Sequence, residues 1–81
     1  MFPHHQYPVV IYMIHGCPYC RKAMKMMRDR NIGFRPVNVG NNGALATALT
    51  EETGWRTVPK VFINGNFVGG STELEMLLNN S

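Results

Sequence analysis

Two cysteines separated by two residues are the part of this 81-residue sequence best suited to chemistry. Cys17 and Cys20 are the chain's 2 cysteines, and Pro18 and Tyr19 lie between them. Thiols at this spacing can form a reversible disulfide. The alternatives are half of a zinc site and a pair of core cysteines, but a zinc site takes roughly four ligands and no second cysteine pair supplies them. The spacing therefore predicts a redox-active dithiol.

An apolar segment and a helical pattern meet at this cysteine pair. Residues 9–14 are all apolar and rich in β-branched side chains, which predicts a strand buried on both faces. Pro18 suits the first turn of a helix, because its missing N–H would have no helical partner there. The side chains that recur at helical spacing, and that are expected to pack on the sheet, are Cys20, Met24 and Met27, with Ala23 beside them.

The helix start predicts different roles for the two thiols. Unpaired N–H groups and the helix dipole favour negative charge in the first turn, so Cys17 is predicted to attack as a thiolate. Cys20 lies one turn further on, on the packed face, and is predicted to resolve the mixed disulfide. Arg21 and Lys22 add positive potential nearby, and His15 is either a tuning residue for Cys17 or a turn residue without a role.

A second strand and a second helix follow the dithiol helix. Residues 34–39 are predicted to form a strand at a sheet edge, because Pro36 cannot donate a ladder hydrogen bond. A strand–helix–strand unit makes this strand parallel to the first. The next helix is predicted over about residues 44–53, with Gly54 as its C-terminal stop.

A hairpin and a last helix complete the chain. Strands are predicted over residues 60–63 and 67–68, and they should be antiparallel because Asn64 and Gly65 between them are a strong hairpin signal. The final helix has a candidate capping box of Thr72 and Glu75 and expected buried side chains Leu74, Leu77 and Leu78. The order β-α-β-α-β-β-α predicts a single α/β domain over residues 1–81 with a four-stranded mixed sheet.

Composition and charge exclude several classes of protein. The formal net charge is +3, and most of the positive charge follows the cysteines, at Arg21, Lys22, Lys25, Arg28 and Arg30. No aromatic or glycine-rich recognition motif accompanies this cluster, so we interpret it as a solvated helix face and expect no nucleic-acid partner. No apolar run approaches the ~20 residues that span a bilayer. Residues 1–6 lack the features of a signal peptide, and one close cysteine pair fits a reducing compartment, so a cytoplasmic location is predicted. The protein is expected to be a monomer.

Three segments together resemble the signature segments of dithiol glutaredoxins, a family of the thioredoxin-like superfamily. They are residues 17–23 with the dithiol, residues 57–63 with Thr57, Val58 and Pro59, and residues 69–74 with Gly70, Ser71 and Thr72. The resemblance covers residues 9 to about 78. It implies the thioredoxin-like fold of glutaredoxins.

The resemblance also implies where glutathione binds. It implies a cis peptide bond between Val58 and Pro59 beside the cysteines, which leaves the Val58 backbone to pair with an extended peptide. The helix N-terminus at residues 70–72 would hold the γ-glutamyl end of glutathione. The implied glutathione-binding residues are Tyr19, Thr57, Val58, Pro59, Gly70, Ser71 and Thr72.

Two positions depart from the family pattern. Many dithiol glutaredoxins carry a glutathione-binding lysine three residues before the first cysteine, and this chain has Ile14 there. A second polar anchor falls at Ala46. Losing charge-assisted contacts of about 1.5–3 kcal/mol each weakens glutathione binding about tenfold or more. Arg56 and Lys22 are candidates to replace the lost charge.

The resemblance implies a thiol–disulfide oxidoreductase that reduces protein disulfides and glutathionylated thiols. Glutathione would be the reducing co-substrate, with no metal. One alternative is a redoxin of this shape that is reduced by thioredoxin reductase and serves, for example, ribonucleotide reductase. Another is an iron–sulfur carrier, in which two chains each give Cys17 and two glutathiones complete the ligands. Pro18 and Tyr19 disfavour the carrier, because cluster-binding family members usually have other residues there.

Overall fold

The computed structural model describes residues 6–80. Its seven elements are β1 (Val9–Met13), α1 (Pro18–Asp29), β2 (Arg35–Asn38), α2 (Gly43–Thr53), β3 (Lys60–Ile63), β4 (Asn66–Gly69) and α3 (Ser71–Asn79). This order confirms the predicted β-α-β-α-β-β-α chain. Residues 1–5, which hold most of the segment behind the targeting prediction, lie outside the described residues.

The four strands form one mixed sheet in the order β2-β1-β3-β4. β1 pairs in parallel with β2 and antiparallel with β3, and β3 pairs antiparallel with β4. Pro36 lies in β2 at the edge, as predicted from its missing N–H. The hairpin turn between β3 and β4 has positive φ at both Asn64 and Gly65, as a two-residue hairpin turn requires. The predicted α/β class and mixed sheet are therefore confirmed.

The helices cover both faces of the sheet and make two cores. On one face, α1 and α3 pack on Ile11 and Val61, and on the other α2 packs on Tyr12 and Phe62. The side chains of α1 that were expected to face the sheet are all buried, and they are Cys20, Ala23, Met24 and Met27. Since β1 contributes to both cores and is buried along its whole length, it is the central strand that its apolar sequence predicts.

Three local expectations were wrong. β1 ends at Met13, one residue before the end of the apolar run, and Ile14 is exposed. α3 begins at Ser71 with Gly70 as its N-cap, so the capping interaction runs from Gly70 N–H to the Glu73 carboxylate over 2.9 Å. The N-cap of this helix is therefore Gly70, two residues before the Thr72 that the predicted capping box requires. Leu74 and Leu78 are buried, but Leu77 is 45% exposed because it lies off the face that meets α1.

Candidate active site

Cys17 lies at the N-terminus of α1, where the chain leaves β1 through a tight turn. Gly16 takes φ = 78° in this turn, a conformation that favours glycine. Cys17 is the N-cap residue of α1, and its Sγ accepts a hydrogen bond from the Cys20 N–H over 3.2 Å. The side chain is only partly buried. The sulfur is therefore accessible from outside while a helix N-terminal amide points at it, which stabilises negative charge on the sulfur.

Cys20 has the opposite environment. Its side chain is 0% exposed and packs in the core between α1, α3 and the sheet. Burial raises the pKa of the Cys20 thiol from 9.0 to about 12, and a side-chain hydrogen bond with Cys17 adds to the shift. Cys20 is therefore a protonated thiol at neutral pH, held against the sulfur of Cys17. Both cysteines are free thiols in this structure.

A cis proline segment, just before β3, lies beside Cys17. The peptide bond between Val58 and Pro59 is cis, which confirms what the resemblance implied. The Val58 carbonyl oxygen lies 3.9 Å from Cys17 Sγ. Pro59 is buried, while Thr57 on the other side of Val58 is exposed. The segment therefore places the backbone of Val58 next to the accessible sulfur of Cys17.

Lys60 holds this segment in place through a hydrogen bond to Thr57. Its side chain is almost fully buried, 3% exposed, and Nζ donates a hydrogen bond to the Thr57 carbonyl oxygen over 2.9 Å. Burial lowers the pKa of Lys60, because the ammonium ion is removed from water. Lys60 lies directly opposite Tyr12 of β1. The sequence showed only a strand-opening lysine, so neither its burial nor its carbonyl partner was predicted.

A groove of ≈ 300 Å³ runs from the cis proline segment to the start of α3. All seven residues that the resemblance implies for glutathione line it, namely Tyr19, Thr57, Val58, Pro59, Gly70, Ser71 and Thr72. Trp55 and Glu73 line it as well and were not predicted. Trp55 is the chain's single tryptophan and lies two residues before Thr57, which was the one sequence signal that could have indicated it. We call this groove, defined by these nine residues, the α3 groove.

Two glycines let the backbone pass close to the side chains that form the wall of the α3 groove. Gly69 has φ = 134°, and a Cβ built there would lie 2.6 Å from Glu73 Cγ. A Cβ at Gly70 would lie 3.4 Å from Cζ3 of Trp55. The tight passage brings the Glu73 carboxylate onto the Gly70 N–H, and the next two residues, Ser71 and Thr72, line the groove at the start of α3.

A second cleft, of ≈ 420 Å³, lies on the other side of Thr57 and Val58. The two positions that depart from the family pattern, Ile14 and Ala46, both line it, and Arg56 lines it with them. Lys22 is elsewhere, in an ion pair with Glu75 at 3.4 Å. Of the two candidate replacement cations, the structure therefore brings Arg56 to the cleft and not Lys22.

Comparison with known proteins identifies the family. The sequence profile described as Glutaredoxin matches residues 9–68. The chain belongs to the glutaredoxin family. Members of this family are thiol–disulfide oxidoreductases.

Individual glutaredoxins agree with this assignment in sequence and in fold. Mitochondrial glutaredoxin-2 of Pongo abelii is 40% identical over 74 residues, which cover 85% of this chain and 45% of that protein. Glutaredoxin-C6 of Oryza sativa subsp. japonica is 38% identical over 76 residues, 90% of this chain and 67% of that one. The buckwheat glutaredoxin–glutathione complex matches with a TM-score of 0.88 at 26% identity, covering 94% of this chain and 72% of that chain.

The chain spans less than half the length of the mitochondrial glutaredoxins that it matches. Within residues 6–80, no helix is long and apolar enough to cross a membrane. Among the same residues, no three histidine, cysteine or acidic side chains come together as they would around a metal ion.

Proposed function

We propose that this glutaredoxin reduces protein disulfides and glutathionylated thiols, with glutathione as the reducing co-substrate. The observation that carries the proposal is the position of Cys17. Its accessible sulfur accepts a helix N-terminal hydrogen bond and lies 3.9 Å from the Val58 carbonyl oxygen, beside the α3 groove. A thiolate placed in this way can attack a disulfide whose backbone pairs with Val58.

Removal of glutathione from a protein needs Cys17 alone. The Cys17 thiolate attacks the glutathione sulfur of the mixed disulfide, forming a Cys17–glutathione disulfide and releasing the protein thiolate. A second glutathione thiolate then attacks the glutathione sulfur bound to Cys17. This step releases glutathione disulfide and restores the Cys17 thiolate, so the sulfur of the second glutathione is oxidised as the protein sulfur is reduced to a thiol.

Reduction of a protein disulfide also uses Cys20. Cys17 attacks one substrate sulfur and forms a mixed disulfide, and the other substrate sulfur leaves as a thiolate. Cys20, held beside Cys17 and protonated at neutral pH, gives its proton to that thiolate and attacks Cys17 Sγ. The substrate leaves with one thiol and one thiolate, which takes a proton from water. Two glutathione molecules then reduce the new Cys17–Cys20 disulfide and become glutathione disulfide.

The α3 groove supplies the contacts for glutathione in this proposal. The carboxylate of the γ-glutamyl end would accept from the amides of Ser71 and Thr72, since the first-turn amides of α3 have no helical partner. The glutathione cysteine would exchange hydrogen bonds with the Val58 backbone. Tyr19, 64% exposed, would cover one side of the bound molecule. In support, the buckwheat relative is known as a complex with glutathione.

One observation favours a second reductant. Ile14 and Ala46 make the second cleft apolar where many dithiol glutaredoxins present a lysine and another polar anchor to glutathione. Weak glutathione binding would leave the Cys17–Cys20 disulfide for a flavoprotein reductase of the thioredoxin reductase class. The alternative function is therefore a redoxin of the same chemistry with a different electron donor.

A comparison of reductants and cysteine variants tests the proposal. We expect turnover of a glutathionylated protein with glutathione, glutathione reductase and NADPH, and none for Cys17→Ser. Cys20→Ser should keep removal of glutathione and lose reduction of protein disulfides. Turnover supported by thioredoxin reductase alone would overturn glutathione dependence but not the dithiol chemistry. Equal activity of the two serine variants would overturn the assigned thiol roles.

A further inference from the structure

The second cleft has apolar walls that have no role in the proposed binding of glutathione. Its apolar lining comes from Tyr12, Ile14, Val39, Ala46 and Leu49, on the face of the sheet that α2 covers. We call this space, with its rim at Arg56, the α2 cleft. It shares Thr57 and Val58 with the α3 groove, so a molecule paired with Val58 has a pocket on each side.

The direction of a bound chain decides which of its residues meets the α2 cleft. No hydrogen bond within residues 6–80 occupies the Val58 N–H, and the Val58 carbonyl oxygen has the Cys17 thiol as its partner at 3.9 Å. A Cys17 thiolate has no proton to donate to that oxygen, so both backbone groups of Val58 can pair with a substrate while Cys17 attacks. Two residues exchange both N–H···O bonds only in an antiparallel pair. Arg56, before Val58, lines the α2 cleft, and Pro59, after it, lines the α3 groove. An antiparallel substrate therefore sends the residue after its cysteine towards the α2 cleft.

The charges of the α2 cleft limit what can enter. Among the residues that line it, the charged ones are Arg56 and Lys60, and none is acidic. Arg56 is exposed at the rim, whereas the Lys60 ammonium lies under the cleft with Thr57 as its carbonyl partner. A cationic side chain would lose its hydration and meet two like charges, whereas an apolar side chain would cover Ile14, Ala46 and Leu49.

We propose that the α2 cleft is a specificity site for the residue that follows the reacting cysteine in an extended polypeptide disulfide, and that it prefers an apolar side chain there. The inference rests on the proposed dithiol function and names the substrate class that this function acts on. Glutathione has glycine after its cysteine and leaves the apolar walls uncovered. A polypeptide with leucine after its cysteine covers the apolar walls of the α2 cleft. Such a polypeptide is therefore expected to be a better substrate than a glutathione disulfide in its contacts with this cleft.

Peptide disulfides that differ at one residue test the proposal. The probes are symmetric disulfides of a capped pentapeptide with a central cysteine, alanine elsewhere and leucine, serine or lysine directly after the cysteine. The reduced protein is mixed with each probe, and the peptide thiol released is measured to give a second-order rate constant. We expect leucine to react about tenfold faster than serine, and lysine more slowly than serine. The same substitutions placed before the cysteine should have little effect.

Two substitutions of an aliphatic residue by lysine, one inside the α2 cleft and one outside it, test whether the preference for leucine arises in this cleft. Ile14→Lys puts a cation on the wall of the α2 cleft and should abolish the advantage of leucine over serine. Leu77→Lys makes the same kind of change at an exposed leucine of α3, outside the cleft, and should leave that advantage unchanged.

The outcomes separate this inference from the proposed function. Equal rate constants for the leucine, serine and lysine probes would overturn the specificity site while the dithiol chemistry stands. A preference that survives Ile14→Lys would also overturn it. A preference seen only at the residue before the cysteine would overturn the antiparallel direction on which it depends. If wild-type protein released no thiol from any probe, the proposed dithiol reduction itself would be wrong.

Discussion

The backbone N–H of Cys20 donates a hydrogen bond to Cys17 Sγ over 3.2 Å, while the Cys20 thiol itself is buried. The two sulfurs thus differ in access and in surroundings although only two residues separate them. Cys17 is partly exposed, and burial together with Cys17 raises the pKa of Cys20 to about 12. This difference has a direct chemical consequence.

We expect iodoacetamide at about pH 8 to label Cys17 alone, because only a thiolate that the reagent can reach is alkylated. Mass spectrometry of the fully reduced protein should show one adduct, on the peptide that contains residue 17. Cys17→Ser should remain unlabelled at this pH and take up one adduct after unfolding in urea. Equal labelling of both cysteines in the folded protein would contradict the burial of Cys20.

The buried thiol also predicts how stability depends on pH. The pKa of Cys20 is 9.0 when unperturbed and about 12 in the folded protein, so the folded state keeps this proton more tightly than the unfolded state. The stabilisation from Cys20 is therefore fully present below pH 9 and is lost as the pH rises from 9 towards 12.

Urea unfolding of reduced wild type and Cys20→Ala measures this loss. The difference in unfolding free energy between the two proteins should shrink between pH 9 and pH 11. The raised pKa of Tyr12, also about 12, acts in both proteins and cancels in the comparison. A difference that stays constant over this range would show that Cys20 titrates normally.

Gly69 should tolerate no side chain. Its φ of 134° is a conformation that other residues rarely adopt, and a Cβ there would lie 2.6 Å from Glu73 Cγ. Gly69→Ala is expected to cost about 1–3 kcal/mol of unfolding free energy and to weaken glutathione binding, because the wall of the α3 groove must shift. Urea unfolding and a glutathione titration followed by NMR measure the two effects.

Gly33→Ala is the matched control for this substitution. A Cβ at Gly33 would have no heavy atom within 4 Å, so a change within about 0.5 kcal/mol is expected. If the two alanine variants were equally stable, the close contact between Gly69 and Glu73 would not exist in solution.

Lys60 should make the unfolding free energy depend on pH in the opposite direction to Cys20. Burial lowers its pKa below 10.5, so the folded state gives up this proton more readily than the unfolded state. The contribution of Lys60 to stability is therefore greatest above pH 10.5 and falls as the pH drops through the lowered pKa. Relative to Lys60→Met, wild type should gain stability as the pH rises from the lowered pKa of Lys60 towards 10.5, as urea unfolding would show.

The same variant tests the role of Lys60 in holding Thr57. Lys60→Met keeps the length of the side chain and removes the donor to the Thr57 carbonyl oxygen. We expect KM for a glutathionylated protein to rise severalfold with a smaller change in kcat, because Thr57 and Val58 would be held less firmly while the cysteines are untouched. A fall in kcat alone would contradict this positioning role.

The sequence by itself determined the features that depend on neighbours along the chain. Pro18 after a strand placed the dithiol at the N-terminus of α1, the apolar run of residues 9–14 gave the central strand, and Asn64 with Gly65 gave the hairpin. Each of these follows from local backbone preference or side-chain period, which a few consecutive residues contain. The resemblance added the cis bond between Val58 and Pro59, which no local pattern predicts.

Only the tertiary structure decided which distant side chains share the site. Cys17 and Val58 are 41 positions apart, and their contact depends on the pairing of β1 with β3. Trp55 joins the α3 groove through the close approach of Gly70, and Lys60 is buried because its strand position faces Tyr12 under α2. Such contacts arise from how the sheet and helices pack, so the reacting sulfur could be assigned from the sequence, whereas the places of Trp55 and Lys60 beside it could not.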